Sequence, residues 1–377
     1  MSSWKGIPLI FISIILMLAA FSKKGDPDFD VSAESAVLME QDSGRVLYEK
    51  KADEVRRIAS ITKIMTAVLA IESGKMDETV RVSRSAAFAE GSSIYLKPGE
   101  RIKLRDLVYG LMLRSGNDAA NAIAEHLGGS IEGFAFMMNS KAEEIGMTNT
   151  FFSNPSGLDS HEKHYSTAYD MALLMRYAMQ NETFREISGT KFYTQKHEEG
   201  ARYWRNKNRL LTEKYKYATG GKTGYTKRAG RTLVTTASRS HENLIAVTLH
   251  ASDDWNDHIA MYEYGFDEFS MVEVLPDGVI KDVQPFEGKR ELYIKHPVRF
   301  PLMKEEYSDI RIEYTLLPPK EMKKVKDDMV GRAVIYFENK EVRTIPVYLA
   351  EEDNRESKSW IKKLRDLFFL RTDVMLR

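Results

Sequence analysis

The most informative segment of this chain is Arg57-Ile58-Ala59-Ser60-Ile61-Thr62-Lys63-Ile64-Met65-Thr66-Ala67. Residues 58–72 contain no Gly or Pro and are rich in Ala, Ile and Met, and Ser73-Gly74 follows them. That pattern predicts a largely buried helix with a glycine stop. Ser60 and Lys63 are three residues apart, so a helix places the hydroxyl and the amine on one face.

This Ser-x-x-Lys spacing could support nucleophilic chemistry. It also occurs at Ser2, Ser160, Ser188 and Ser359, but only Ser60 begins a long apolar helix. The helix N-terminus favours negative charge developing on the serine oxygen, and burial against neighbouring isoleucines would lower the pKa of Lys63. A neutral amine could then take the serine proton. The alternative is a lysine that extends from a core helix to water and has no catalytic role.

Composition and the lack of certain motifs exclude several other kinds of site. The chain has 377 residues with Cys 0 and a formal net charge of +0, which excludes thiolate chemistry and gives no basic field for nucleic acid. His161-Glu-Lys-His164 lacks the spacing of a helical zinc motif and is interpreted as solvated loop histidines. Gly220-Gly-Lys-Thr-Gly224 lacks the phosphate-loop frame, and no G-x-S-x-G elbow is present. We therefore expect no metal, no cofactor and no nucleic-acid partner.

Two further tripeptides, each occurring once, strengthen the interpretation of Ser60. Ser115-Gly116-Asn117 falls between two helical patterns, where a break can present a hydroxyl and a carboxamide together. Lys222-Thr223-Gly224 follows two glycines and precedes strand-like sequence, so a cation and a hydroxyl would line a sheet edge. An extended peptide could pair with such an edge and place its terminal carboxylate near Lys222 and Thr223.

The two ends of the chain differ from the body. Residues 1–22 combine a basic start, an apolar run and small residues, which predicts a secretory signal, with a retained anchor as the alternative. Residues 355–377 are net basic and have an apolar stripe at helical spacing, which is typical of a helix lying on a membrane surface. A last helix packed on its own domain is the alternative. We expect an exported protein that acts outside the cytoplasmic membrane.

Between the ends the sequence predicts two domains. Residues 30–270 mix strand-like and helical segments, with strands at both ends and helices between, which favours an α/β fold in which the two ends of the segment close one sheet and helices pack against it. Predicted elements there are a hairpin turning at Ser43-Gly44, a helix capped by Ser166 or Thr167, and strands over 230–238 and 243–250. Residues 272–350 show short alternating runs joined by turn residues, which predicts a small all-β domain.

The order S-x-x-K, S-G-N, K-T-G is the motif set of penicillin-binding proteins and serine β-lactamases. Over about residues 31–269 the chain resembles the low-molecular-mass penicillin-binding proteins that act as D-alanyl-D-alanine carboxypeptidases. Further similar segments in the same order begin at Gly91, Leu111, Asn154 and His164. Several are most similar to the sporulation-associated enzymes of endospore-forming bacteria. The resemblance implies the family's antiparallel sheet with a helical cluster, an all-β C-terminal domain and an amphipathic tail.

The resemblance also implies site residues. Ser60 would be the acylated nucleophile and Lys63 its base, while Ser115, helped by Lys222, would pass a proton to the departing D-alanine. Asn117 would orient the substrate amide, and the carboxylate region would lie at Lys222 and Thr223, with Gly224 beside them. The backbone N–H groups of Ser60 and Tyr225 would form the oxyanion hole. The implied reaction removes the terminal D-alanine from peptidoglycan stem pentapeptides, and penicillins would trap Ser60.

The chain departs from the family pattern at one position, and two competing functions remain. Several relatives have an Arg shortly after the strand that follows K-T-G, whereas residues 249–258 hold none, so carboxylate binding could fall to Thr223 with Lys222 or to Arg231. A β-lactamase would share the acylating residues, but the segment from Asn154 to Asp159 lacks the deacylating E-x-x-x-N pattern of one class. A β-lactam sensor or catalytically silent wall-binding protein is disfavoured because all the motif residues are intact.

Overall fold

The structure, a computed structural model, describes residues 29–159, 163–197, 200–280, 291–317 and 328–349. The predicted signal and the predicted amphipathic tail lie outside these residues. Within them the chain forms two compact units, one of residues 29–39 and 46–265 and the other of residues 40–45 and 266–349.

The first unit is built on a five-stranded antiparallel sheet in the order β2-β1-β9-β8-β7. The N-terminal hairpin therefore lies beside the last strand of the sheet, which confirms a sheet closed by both ends of the segment. The predicted turn is also confirmed, with Gly44 at φ 79°. The strands are β1 (Ser35–Glu40), β2 (Val46–Lys50), β7 (Ala218–Thr226), β8 (Gly230–Arg239) and β9 (Glu242–Ala251).

Helices cover both faces of this sheet. Their bounds are α1 (Lys63–Glu72), α2 (Arg84–Ala87), α3 (Leu104–Tyr109), α4 (Asn117–Gly128), α5 (Ile131–Ile145), α6 (Ala168–Ala178), α7 (Glu182–Gly189) and α8 (Asp254–Glu268). Two short hairpins complete the unit: β3 (Thr79–Arg81) with β4 (Arg101–Lys103), and β5 (Phe192–His197) with β6 (Gly200–Arg205).

Alternation along the central strands explains this layering. Val234, Ile245 and Val247 point into the main core with the apolar residues of α1 and α4. On the opposite face, Thr235 contacts His258 of α8 at 2.6 Å. Strands β8 and β9 carry apolar or small residues on both faces, so they are buried between two helical layers. Helix α1 lies at the centre of the unit.

The start of α6 follows its predicted cap, whereas two other predicted helices differ from the prediction. The Thr167 hydroxyl accepts the backbone N–H of Asp170 at 3.0 Å, which confirms one of the two predicted caps for α6. The helix predicted over 58–72 begins differently, because Ala59–Thr62 is a 3₁₀ turn and α1 starts only at Lys63. The helical pattern that precedes Ser115 also changes near its end, since Gly110–Arg114 is a π-helical turn. Both departures are next to predicted site residues, where such irregular turns are common.

The second unit is all-β, as predicted. Its strands form a two-stranded sheet, β10-β13, and a five-stranded sheet, β11-β12-β16-β15-β14. The bounds are β10 (Ser270–Leu275), β11 (Gly278–Val279), β12 (Leu292–Ile294), β13 (Val298–Leu302), β14 (Ile310–Leu316), β15 (Met329–Phe337) and β16 (Lys340–Leu349). None of the helices in the described ranges is long and apolar enough to cross a membrane.

Candidate active site

The start of α1 brings the first motif together. Ser60 lies in the 3₁₀ turn, and Nζ of Lys63 is 3.0 Å from its Oγ. Ala59, directly before the serine, has φ 48°, a left-handed conformation that a side-chain-bearing residue adopts only when its surroundings impose it. The carbonyl oxygen of Ala59 faces Gly157 so closely that any side chain at position 157 would collide with it. The loop at Gly157 therefore holds the backbone that presents Ser60.

Lys63 is fully buried and makes two further contacts. Its Nζ donates to Oδ1 of Asn117 at 2.7 Å and to the backbone carbonyl of Ser156. Burial, then the nearby charges of Lys222 and Lys207, hold the pKa of Lys63 well below its usual range. A neutral amine has two hydrogens and one lone pair. When its two hydrogens are donated to Asn117 and Ser156, its lone pair remains free to accept the proton of the Ser60 hydroxyl. This is the arrangement of a general base.

A second amine–hydroxyl pair faces the first. Nζ of Lys222, on β7, lies 3.0 Å from Oγ of Ser115 and 2.7 Å from the carbonyl oxygen of Thr223. Ser115 follows the π-helical turn and is itself left-handed at φ 66°, so the irregular turn aims its hydroxyl at Lys222. Burial, followed by the charge of Lys207, lowers the pKa of Lys222 to about 7. This pair can therefore give or take a proton near neutral pH.

Strand β7 forms one edge of the sheet and carries the third motif. It pairs with β8 alone among the described strands, so its other side is available to an extended peptide. Gly224 makes a close approach possible: a side chain there would lie 2.9 Å from the backbone nitrogen of Ser60 and would collide with Thr232. Tyr225 follows with a mostly exposed side chain. Gly224 of β7 therefore lies directly against the backbone of Ser60.

These residues open onto a cleft of about 650 Å³. Its lining includes Ser60, Ser115, Thr223, Gly224, Tyr225, Ser92, Lys207, Arg209, Arg231, Asp254 and Trp255. Arg231 is paired with the buried carboxylate of Asp254, and its guanidinium lies 5.5 Å from the Trp255 ring. Burial raises the pKa of Asp254, an effect opposed by the hydrogen bond and charge of Arg231. One cation of the cleft is thus fixed in place on β8, opposite Tyr225 of β7.

Some contributors were not anticipated from the sequence. His164 is not a solvated loop residue: it is buried, and its Nε2 is 2.9 Å from Oγ1 of Thr62, two residues after the nucleophile. The interpretation was wrong because residues 154–159 and 163–166 fold back onto the start of α1, a long-range contact that histidine spacing does not encode. Ser156, Lys207 and Asp254 were missed for the same reason. His161 lies outside the described residues.

Proteins with similar sequences identify the family of this chain. A sequence profile described as D-alanyl-D-alanine carboxypeptidase matches residues 20–253, and one described as penicillin-binding protein 5, C-terminal domain, matches residues 269–355. The chain is 34% identical to the D-alanyl-D-alanine carboxypeptidase DacF of Bacillus subtilis, over 92% of this chain and 94% of that one. It is 31% identical to the carboxypeptidase DacC of Escherichia coli, over 85% and 84% of the two chains.

Solved structures agree with the sequence relatives. Penicillin binding protein 5 from Haemophilus influenzae superposes with a TM-score of 0.72 at 26% identity, covering 87% of this chain and 99% of that one. A Streptomyces K15 DD-transpeptidase variant superposes with a TM-score of 0.61 at 32% identity, covering 63% and 99%. Profile, relatives and fold lead to one conclusion: this chain belongs to the D-alanyl-D-alanine carboxypeptidase family of serine peptidases, among the low-molecular-mass penicillin-binding proteins.

Proposed function

We propose that this protein removes the terminal D-alanine from peptidoglycan stem pentapeptides through an acyl-enzyme on Ser60. The observation that carries this proposal is the contact between the buried amine of Lys63 and the Ser60 hydroxyl at the floor of the cleft. A depressed amine pKa beside a serine is what base-assisted nucleophilic attack requires.

Acylation begins at Ser60. Its oxygen attacks the carbonyl carbon of the penultimate D-alanine while its proton passes to the neutral Nζ of Lys63. The negative charge that develops on the carbonyl oxygen is stabilised by hydrogen bonds that the backbone N–H groups of Ser60 and Tyr225 donate. Support comes from Gly224, which lets β7 approach the Ser60 nitrogen.

Breakdown of the tetrahedral intermediate needs a proton on the leaving nitrogen. Ser115 delivers it from its hydroxyl and is reprotonated from Lys222, 3.0 Å away. The C–N bond breaks and D-alanine departs, which leaves an ester on Ser60, a protonated Lys63 and a neutral Lys222. Water then hydrolyses the ester: its proton passes through Ser115 to Lys222, and Lys63 returns its proton to the departing Ser60 oxygen. The pKa of Lys222, about 7, makes this transfer feasible near neutral pH.

The substrate lies along β7. Its backbone extends the sheet at the open edge, and Asn117 orients the amide of the acyl residue. The terminal carboxylate lies at Thr223 and Lys222, joined by Arg231. Arg231 is favoured because it lines the same cleft. Among the described residues its guanidinium donates to Asp254 through one nitrogen, so further N–H groups can bind a carboxylate.

The test is release of free D-alanine from a peptide ending in D-Ala-D-Ala. Turnover above the Ser60→Ala background is expected, and its absence would reject the enzymatic proposal. Penicillin should add its mass to the wild-type protein and not to Ser60→Ala, since β-lactams resemble the acyl donor. Rapid loss of that adduct would instead favour a β-lactamase.

We also propose that the protein acts outside the cytoplasmic membrane, delivered by residues 1–22 and attached to its surface by residues 355–377. Deleting residues 355–377 should move the protein from the membrane to the soluble fraction while D-alanine release continues. An unchanged distribution would support the packed-helix alternative. A role in cell-wall maturation during sporulation stays a prediction, tested by timing expression against spore formation.

A further inference from the structure

The catalytic cleft contains more positive charge than a single terminal carboxylate balances. Lys207 lines it together with Ser60, and Nζ of Lys207 is 3.2 Å from Oγ of Ser92. Within the described ranges no carboxylate forms an ion pair with Lys207, whereas Arg231 and Arg209 are paired with Asp254 and Glu213.

Its surroundings are unfavourable for a cation. The charge of Lys207 contributes to the lowered pKa of both Lys63 and Lys222, so these three amines repel one another. Partial desolvation, then the charge of Arg114, lowers the pKa of Lys207 itself. A lysine kept among like charges and facing a cleft is typical of a site whose ligand supplies the negative charge.

The position of Lys207 indicates which part of the substrate it meets. Its backbone N–H donates to the carbonyl of Leu113 at 3.1 Å, and the carbonyl of Ser92 accepts the N–H of Asn117 at 2.6 Å. Lys207 and Ser92 therefore belong to the wall around Asn117. Arg231 pairs in register with Tyr225 and lines the cleft together with Thr223, on the wall formed by β7 and β8. Two cations thus stand on two different walls, with Ser60 also lining the cleft.

We infer that Lys207, with Ser92, recognises a second carboxylate on the acyl side of the substrate. The ligand class is a peptide X-D-Ala-D-Ala in which X, the residue before the two D-alanines, has an ionised side-chain carboxylate, as a diamino diacid does. This inference rests on the proposed function, because it assumes that the terminal D-alanine lies towards Thr223 and the acyl residues lie towards Asn117.

The experiment compares three N-acetylated peptides with X as diaminopimelate, its side-chain carboxamide or lysine. Wild type should turn over the acid about fivefold faster, in kcat/KM, than the carboxamide, an effect expected for a partly exposed charge pair. The ratio should fall to about one in Lys207→Met, return in Lys207→Arg, and shrink at high salt. Lys103→Met is the matched control, since Lys103 is an exposed lysine lining a different cavity.

A ratio near one in wild type, or an undiminished ratio in Lys207→Met, would overturn the inference. Equal loss of turnover on all three peptides in Lys207→Met would also overturn it, because Lys207 would then act on the catalytic lysines. A binding readout separates this inference from the proposed reaction. Ser60→Ala should bind the acid peptide more tightly than the carboxamide in an NMR titration, and Ser60→Ala with Lys207→Met should not. That binding difference would stand even if no D-alanine were released.

Discussion

Nζ of Lys63 lies 3.0 Å from Oγ of Ser60 while its two other contacts, Oδ1 of Asn117 and the carbonyl of Ser156, are both hydrogen-bond acceptors. An ammonium group would have a hydrogen on all three contacts. A neutral amine satisfies both acceptors and still offers a lone pair to the serine. The buried position of Lys63 favours that neutral form, so the site is organised for proton abstraction before any substrate binds.

Replacing Lys63 should therefore slow acylation strongly without removing the nucleophile. We expect Lys63→Gln to slow penicillin acylation by about 10²- to 10⁴-fold, the usual contribution of a general base. Intact-mass measurement over time gives the rate. Lys103→Gln should acylate at the wild-type rate, and an equal loss there would point to a nonspecific charge effect.

The acylation rate should pass through a maximum with pH. It rises as Lys63 loses its proton, because only the neutral amine can accept the serine proton. It falls above about pH 7 as Lys222 loses the charge that holds the carboxylate, since burial lowers the pKa of Lys222 to about 7. The limbs report apparent values for the coupled pair. A rate that keeps rising to pH 9 would contradict a charged role for Lys222.

Gly224 should be essential for a geometric reason. In Gly224→Ala the new methyl group would lie 2.9 Å from the Ser60 nitrogen and collide with Thr232, so β7 must move away from the oxyanion position. Acylation should fall by about 10²- to 10³-fold, as for loss of an oxyanion donor. Tyr225→Ala should cost less than about tenfold, because the role proposed for that residue belongs to its backbone N–H. Circular dichroism would verify that both variants fold.

Arg231 and Asp254 should act as one unit. Arg231→Gln is expected to raise KM for the peptide about tenfold with a smaller change in kcat, since it removes a charge-assisted bond to the carboxylate. Asp254→Asn should produce part of that effect, because it frees the guanidinium that Asp254 holds. Steady-state kinetics on both variants test this pair. A fall in kcat alone in Arg231→Gln would contradict a carboxylate-binding role.

Acid should destabilise the first unit through His258. This imidazole is fully buried between Thr235 and Thr248, and burial lowers its pKa to about 3 from an ordinary 6.5. The unfolded chain binds the proton first, so stability is complete above pH 6.5 and declines as pH falls towards 3, by about 1.4 kcal/mol per pH unit. Urea unfolding followed by tryptophan fluorescence measures the slope. His258→Gln should show a shallower decline, and an equal slope would contradict this assignment.

Some elements of the fold follow local sequence rules, and others depend on residues far apart in the chain. The hairpin at Gly44, the Thr167 cap and strands β8 and β9 follow local rules of turn, cap and alternation, and sequence predicted them. The π-helical turn before Ser115 was not predicted, because a single turn is too short for its apolar residues to distinguish π-helical from α-helical hydrogen bonding. His164 was misjudged because its partner, Thr62, is 102 residues away in the chain.

By itself, the sequence determined which chemical groups are available: one serine before an apolar helix, two lysines and two hydroxyl-bearing motifs in a fixed order. Only the tertiary structure decided what these groups can do. The contacts of Lys63 with Asn117 and Ser156 span 54 and 93 residues, and that of Lys222 with Ser115 spans 107. Those contacts require the folded sheet and helices. Burial within that fold lowers the pKa of both lysines. The apolar residues around Lys63 predicted this for that lysine, whereas no local pattern predicted it for Lys222.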